Sequence, residues 1–344
     1  MKVLKTVVSG LGRIGWQFHI PSIMANDGFK LTGVCDPLAE RRREAEEAYN
    51  VNSYACFNEM LAAEQPDLTV IASPTHFHKE QAIYAMEQGG NVFLDKPMAC
   101  DLPEANQVYE AMKRTGRKLM MYQPHRANAP MQVIKKIIDS GLIGGVFMIK
   151  SSCSDYKHRN DWQAYKKYGG GMLNNFGAHH IDNTLYLAGS PAKRVSGYLN
   201  TIASAGDAED VAKLLIVTEN NICIDIDINI ASAITAPDII IYGQYGALTL
   251  MSIYESKECS VRYFDPKEQP QITSSDETAA EGRLYVTAAP QNWRERYFPI
   301  DEGCAIDYYQ QCYGYYALDE EPFVTVQETM AVMRLIDACR KAAE

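Results

Sequence analysis

Over the first 122 residues, short runs dense in apolar and β-branched residues alternate with stretches whose apolar positions recur every third or fourth residue. The runs at 3–9, 30–35, 68–72, 91–94 and 118–122 lack the alternation of a half-exposed strand, so they predict parallel strands buried on both faces. The stretches at 14–25, 38–49, 78–88 and 103–114 carry helical spacing and close near Gly, Asn or another breaker. Strand and helix in turn predict a doubly wound α/β domain over residues 1–122.

Beyond residue 122 the period changes. A helix at 130–140, a strand at 145–152 and a helix at 171–188 precede a long alternating run with strands expected at 210–217, 222–230, 238–242, 247–253 and 260–264. Turn residues such as Glu219-Asn220-Asn221 separate them. This meander predicts an α/β C-terminal domain, residues 123–344, with a large open, mostly antiparallel sheet and helices on one face, closed by helices near 305–316 and 326–342. The polar stretch 265–291 has little periodicity and reads as a lid, a subunit contact or a mobile loop. The uncovered sheet face predicts that another subunit covers it.

Composition narrows the class. A chain of 344 residues exceeds one ordinary core, and 47% hydrophobic with 22% charged residues is the balance of a globular protein. No apolar run reaches the roughly 18 residues needed to span a bilayer, and no apolar signal core follows the first residues, so a cytoplasmic location and no membrane partner are expected. A net charge of −10 without a basic cluster argues against nucleic acid. Nine cysteines, scattered without a Cys-x-x-Cys pair, argue against a disulfide framework or structural zinc.

Gly10-Leu11-Gly12-Arg13-Ile14-Gly15 follows a strand and opens a helix. In that context the glycines allow a tight turn, close approach of a pyrophosphate and helix-to-sheet packing, with the phosphates on the helix N-terminus. Asp36, 21 residues after Gly15, ends the next strand, where a carboxylate accepts from an adenosine ribose and repels a 2′-phosphate. NAD is therefore expected over NADP, with Arg41, Arg42 and Arg43 taken as a solvated helix face. Ligands in such sheets lie beyond the carboxyl ends of the strands, which makes Ser73, Pro74 and His78 after one strand and Asp95 and Lys96 after the next candidate cofactor contacts. His76 and His78 with Asp95 have no convincing further ligand, so no metal is expected. A triple glycine, Gly169-Gly170-Gly171, leads into a helix carrying Asn174, Asn175, His179, His180 and Asp182. On an α-helix Asn175 and His179 share a face, Asp182 follows one turn on, and His180 points about 100° away.

With these pieces the sequence resembles the glucose-fructose oxidoreductase and inositol dehydrogenase (Gfo/Idh/MocA) family almost end to end. The matching residues are the glycine motif, Pro74-Thr75-His76-Phe77-His78, Asp95-Lys96-Pro97 in place of the usual Glu-Lys-Pro, Gly141-Leu142-Ile143-Gly144, Gly169-Gly170-Gly171 with His179-x-x-Asp182, and Pro322-Phe323-Val324-Thr325-Val326. The resemblance implies a Rossmann domain joined to an open-sheet domain in a homodimer or homotetramer, NAD or NADP as hydride carrier, Lys96 bridging cofactor and substrate hydroxyl, and His179 as acid/base. Asn175 stands where many relatives have an aspartate that works with the histidine. Trp162, beside Tyr156 and Arg159 on the loop before the triple glycine, and His180 are candidate substrate contacts together with Asn175 and His179. The expected function is hydride transfer between a hydroxyl of a polyol, sugar, cyclitol or glycoside and NAD. Two alternatives are a glycoside-modifying enzyme that uses bound NAD transiently and a non-enzymatic nucleotide sensor on the same fold.

Overall fold

The structure is a computed structural model and describes residues 2–268 and 292–343. Most of the polar stretch 265–291 therefore lies outside the described residues.

The first unit is a six-stranded, all-parallel sheet in the order β3-β2-β1-β4-β5-β6. Its strands are β1 (Leu4–Ser9), β2 (Phe29–Cys35), β3 (Asn52–Tyr54), β4 (Leu68–Ile71), β5 (Asn91–Asp95) and β6 (Leu119–Tyr122). Every residue of β4 is buried, as expected of a strand covered on both faces. The helix after the glycine loop differs from the expected single element. It opens as a π-helical turn, Gly15–His19, and only then becomes α1 (Ile20–Met24), the Ile20 amide donating to Gly15 O five residues back. Pro21 has no amide proton, so the ordinary ladder is interrupted there and the wider turn accommodates it.

Three strands were not expected, and all three lie at sheet edges. β3 has only three residues and is followed by an equally unexpected helix, α3 (Phe57–Glu64), which buries Phe57, Met60, Leu61 and Glu64. β8 (Ala192–Asn200) and β14 (Arg294–Pro299) close the two sides of the second sheet. Their charged residues, Lys193, Arg194, Arg294, Glu295 and Arg296, hide the strand pattern and also discourage edge-to-edge pairing.

The second sheet has eight strands in the order β14-β13-β12-β11-β7-β10-β9-β8. It adds β7 (Val146–Ser154), β9 (Val211–Thr218), β10 (Cys223–Asn229), β11 (Ile239–Gly243), β12 (Gly246–Leu250) and β13 (Glu258–Tyr263). The order corrects the simple meander, because β7 enters the middle and pairs parallel with β10 while the other pairs are antiparallel. In β10, Ile224, Ile226 and Ile228 point to the helices, and Cys223, Asp225 and Asp227 to the open face. α8 (Ala178–Ala188) and α10 (Val326–Ala343) cover the apolar face. At Gly197 of β8 an added Cβ would lie 2.3 Å from Cys339 Sγ of α10, so the helix packs close to the strand there.

The end of the chain returns to the first unit. α9 (Tyr308–Leu318) is a row of tyrosines whose hydroxyls bond Rossmann-side groups: Tyr308 donates to Met121 O at 2.5 Å and Tyr313 to Lys2 O at 2.9 Å. Tyr309 meets His19 Nδ1 at 2.8 Å. The two units are thus tied behind the cleft, with the strand ends of the parallel sheet facing α8.

Candidate active site

The glycine loop packs on its own strand ends. Gly10 has φ +92°, and a Cβ there would lie 2.6 Å from the backbone of Ala72 and Ser73. A Cβ on Gly15 would lie 1.9 Å from Gly10 O, so neither position accepts alanine without a backbone shift. Gly12 differs: a Cβ there would meet nothing within 4 Å, so the space over the loop is open to a ligand backbone. That combination fits a dinucleotide pyrophosphate at the start of the helix headed by Arg13 and Ile14.

Asp36 ends β2 and is buried. Its carboxylate accepts from the Leu11 amide of the glycine loop and from the Leu38 amide, both at 2.9 Å. Arg41 reaches the same carboxylate at 3.3 Å, while Arg42 donates to the carbonyls of Asp36 and Pro37. Arg41 and Arg42 therefore fold back over the Asp36 turn, which corrects their reading as a solvated face.

Beyond β4, Ser73 donates to Gln81 Oε1 at 2.8 Å, and Pro74 precedes the short 3-10 turn Thr75–Phe77. His78 is buried, with Nδ1 2.8 Å from Pro97 O and Nε2 2.8 Å from Ser73 O. Both ring nitrogens are occupied by main-chain carbonyls, so the ring buttresses the Asp95-Lys96-Pro97 turn and has no free polar atom to offer a cofactor. Burial, opposed by the two carbonyls, pushes its pKa down to about 4, and the neutral ring, with a single N–H, donates to one of them only.

At the end of β5, Asp95 Oδ1 accepts from the Lys96 amide at 2.8 Å. The Lys96 ammonium crosses the cleft to the second unit, donating to Asn175 O at 2.7 Å and to Asn175 Oδ1 at 2.8 Å. Two of its three protons are thereby used and one remains for a ligand oxygen. Asn175 lies in a π-helical turn, Leu173–Gly177, that feeds α8; such turns recur at functional sites. Its Nδ2 donates to Gln163 Oε1 at 2.8 Å. The Asn175 side chain is thus spent on Lys96 and Gln163, not on His179.

His179 Nδ1 lies 3.0 Å from Gln123 Oε1. An amide oxygen there fixes the proton on Nδ1 and leaves Nε2 as the ring's acceptor. His125 stacks on the His179 ring at 4.0 Å between centroids, and its own Nε2 meets Tyr254 Oη at 3.1 Å. Gln123 and His125 were not singled out in the sequence, although they follow β6 as Lys96 follows β5; the strand-end rule would have found them. Asp182 is not free to serve His179. Its carboxylate is held by Arg126 at 3.0 and 2.5 Å, and Arg126 also pairs with Glu328 at 2.8 Å. His180 Nδ1 meets Ser151 Oγ at 2.8 Å. Trp162 begins the Trp162–Ala164 turn, half-buried and edge-on to His76 at 6.4 Å.

The cleft is electrostatically unusual. Burial, followed by the positive charges that His125 and Lys96 can carry, holds His179 well below its ordinary value, so the ring is neutral at pH 7. Burial lowers Lys96 to about 8, opposed by Asp95 and assisted by Arg159 and Arg13. Asp95 itself is raised to about 6, again by burial. A neutral imidazole and a lysine ammonium with one proton unassigned thus face one cleft beside the glycine loop. Among the described residues no group of three or more His, Cys, Asp or Glu is placed to hold a metal, and no helix is long and apolar enough to cross a membrane.

A doubly wound sheet with this loop, joined to an open sheet that supplies the opposite wall of the cleft, is the architecture of an NAD-binding oxidoreductase family. The chain belongs to the Gfo/Idh/MocA family: residues 4–123 match its "Oxidoreductase family, NAD-binding Rossmann fold" and residues 131–249 its "GFO/IDH/MocA C-terminal domain". It is 25% identical to D-glucoside 3-dehydrogenase of Escherichia coli over 55% of each chain. It is 28% identical to scyllo-inositol 2-dehydrogenase (NAD(+)) of Bacillus subtilis over 57% of each. The chain thus spans about half the length of the curated relatives it matches. An NAD-binding protein from Listeria innocua superposes with a TM-score of 0.85 at 26% identity, covering 100% of this chain and 98% of that one.

Proposed function

We propose that this chain is an NAD-dependent dehydrogenase of a secondary hydroxyl on a sugar, cyclitol or glycoside. The observation that carries the reading is the opposed pair at the cleft: an ammonium with one proton unassigned, and a neutral imidazole whose Nδ1 is pinned by Gln123. Bound at the glycine loop and Asp36, NAD would supply the hydride acceptor. The rest is done by the chain. The substrate hydroxyl sits between Lys96 and His179; His179 takes its proton at Nε2, and the remaining N–H of Lys96 stabilises the negative charge that grows on oxygen. Lys96 must be protonated and His179 neutral; both are lowered by burial, yet Lys96 at about 8 still holds its proton near pH 7 while His179, held well below its ordinary value, does not.

The buried Asp36 carboxylate supports NAD over NADP, since a 2′-phosphate beside it would be repelled; Arg41 at 3.3 Å is already committed to that carboxylate. The names of the two curated relatives, a glucoside dehydrogenase and an inositol dehydrogenase, support a polyol or sugar as substrate. We extend the proposal to a cytoplasmic homo-oligomer joined through the open face of the second sheet.

Absorbance at the NADH band, with NAD and a panel of inositols, aldoses and glycosides, tests it. Net reduction is the expected result. Cleavage of a glycoside without net NADH would favour transient use of NAD, and NAD binding with no turnover on any member would reject the dehydrogenase reading.

A further inference from the structure

Lys96 takes its position from a residue that the chemistry above does not use. Its ammonium bonds two oxygens of one residue, Asn175 O and Asn175 Oδ1. The first is main chain and fixed. The second belongs to an amide that can rotate, and if it turned over it would present an NH2 group to the ammonium instead of an oxygen. The ammonium, which only donates, favours Oδ1 on its side, and the partner on the far side holds that orientation: Gln163 Oε1, which only accepts, takes the Asn175 Nδ2 proton at 2.8 Å. We propose that Gln163 is a positioning residue for Lys96, holding the Asn175 amide in the one orientation that turns Oδ1 toward the ammonium.

The backbone shows why Gln163 is placed well enough to do this. It lies in the Trp162–Ala164 turn, whose first residues are capped by Asp161, which accepts the Gln163 amide at 3.0 Å. Gly171 N donates to Gln163 O at 2.9 Å, and a Cβ on Gly170 would lie 2.3 Å from that same oxygen. The triple glycine thus lets two stretches of main chain meet closely enough to fix Gln163 opposite Asn175. Both amides are neutral, so the ammonium gains hydrogen bonds without an ion pair on this side. The charged or titratable groups around it are Asp95 on its own strand, Arg13 from the glycine loop, Arg159 from the loop before Gln163, His78 after β4, and His125 and His179 across the cleft. Among the described residues only Asp95 is acidic, which is why the orientation of one amide oxygen matters to Lys96.

The inference rests on the proposed role of Lys96, yet its test needs no substrate. Lys96 is acylated with acetic anhydride across pH 6–11 in the full chain with NAD absent, and its labelling midpoint is read by mass spectrometry. In Gln163→Leu the midpoint should fall by about one unit, the equivalent of one hydrogen bond to a charged group. Gln163→Glu keeps the acceptor and adds a negative charge, so its midpoint should stay at or above that of the parent. NAD binding, followed by tryptophan fluorescence, reports whether each variant is folded. A folded Gln163→Leu with an unmoved midpoint overturns the proposal, and so does a Gln163→Glu that falls as Leu does. A moved midpoint in a protein that turns over no member of the substrate panel leaves the positioning role standing and removes the dehydrogenase reading.

Discussion

Asp182 occupies the last position of the His-x-x-Asp motif, and the structure gives it a structural load that Asp182→Asn measures. The Arg126 guanidinium is enclosed: Nε and Nη2 bond the Asp182 carboxylate, Nη1 bonds Glu328, and the Tyr186 ring lies 5.1 Å from its centre. The Arg126 and Asp182 side chains are 4% and 1% exposed, so the carboxylate faces almost no water. Breaking a buried pair on one side costs about 3–5 kcal/mol, because the other charge stays buried. Glu328 remains on Arg126 but is 44% exposed and weakly coupled, which places the expected cost at the low end, about 3 kcal/mol. At roughly 2–4 °C per kcal/mol for domains of this size, Tm should drop by about 6–12 °C. Arg126→Leu with Asp182→Leu should be less destabilised than either single change, because no buried charge is left unpaired and the half-exposed Glu328 keeps its hydrogen bonds from Thr325. Calorimetry measures the loss, and NAD titration at 15 °C confirms that the variant is folded. An Asp182→Asn protein of parental Tm whose turnover alone had collapsed would refute the structural assignment and return Asp182 to the chemistry.

Further outcomes follow from the same geometry. Asn175→Asp puts a carboxylate where Oδ1 now lies 2.8 Å from Lys96, so the lysine pKa should rise from about 8 by roughly 1 to 3 units and the alkaline limb of the pH–rate profile should move up with it; an alkaline limb that stayed put would uncouple the two residues. Acidification should destabilise the fold: burial holds His19 at about 3 and His78 and His180 at about 4, so between pH 6.5 and those values the unfolded chain binds more protons than the folded one. At pH 5.5 the three together cost about 4 kcal/mol against neutral pH, offset by under about 1 kcal/mol from Asp95, whose raised pKa of about 6 acts in the opposite sense; a urea midpoint unchanged between pH 7.5 and 5.5 would contradict the burial. On the open face of the second sheet Leu215 and Tyr198 are half exposed beside the Lys213–Asp225 pair, so light scattering should report a species larger than 38.5 kDa that Leu215→Lys shifts toward the monomer. A monomer in the parent protein would remove the oligomer.

What could be read from the sequence was the interior. Strands buried on both faces, such as Leu68–Ile71, announce themselves as unbroken apolar runs, and the isoleucines of Cys223–Asn229 announce a one-sided strand. Edge strands carry neither signature. Ala192–Asn200 and Arg294–Pro299 are rich in charge because an edge must repel other edges, and Asn52–Tyr54 is too short to show a period. α3 was within reach, since Phe57, Met60, Leu61 and Glu64 have helical spacing, but the last is a buried carboxylate satisfied by Asn52 and Tyr54, which no local pattern announces. The site divides similarly. Lys96, Asn175 and His179 stand on strand ends and a helix start, positions that sequence reasoning can nominate. Their pairing depends on residues brought together across the chain: Lys96 and Asn175 are 79 positions apart, and Gln123 and His179 are 56 apart. The helical spacing of Asn175 and His179 suggested a partnership, while the cleft gives each a different partner.

The central claim is that Lys96 and His179 act as a pair on a hydroxyl. Single-turnover NADH formation with the best member of the polyol and glycoside panel tests it, comparing the parent with Lys96→Ala and His179→Ala at saturating NAD. Removing a general base is expected to cost about 100- to 10,000-fold, and both variants should lose at least that lower amount while binding NAD as the parent does. Near-parental NADH formation in either variant would contradict the account.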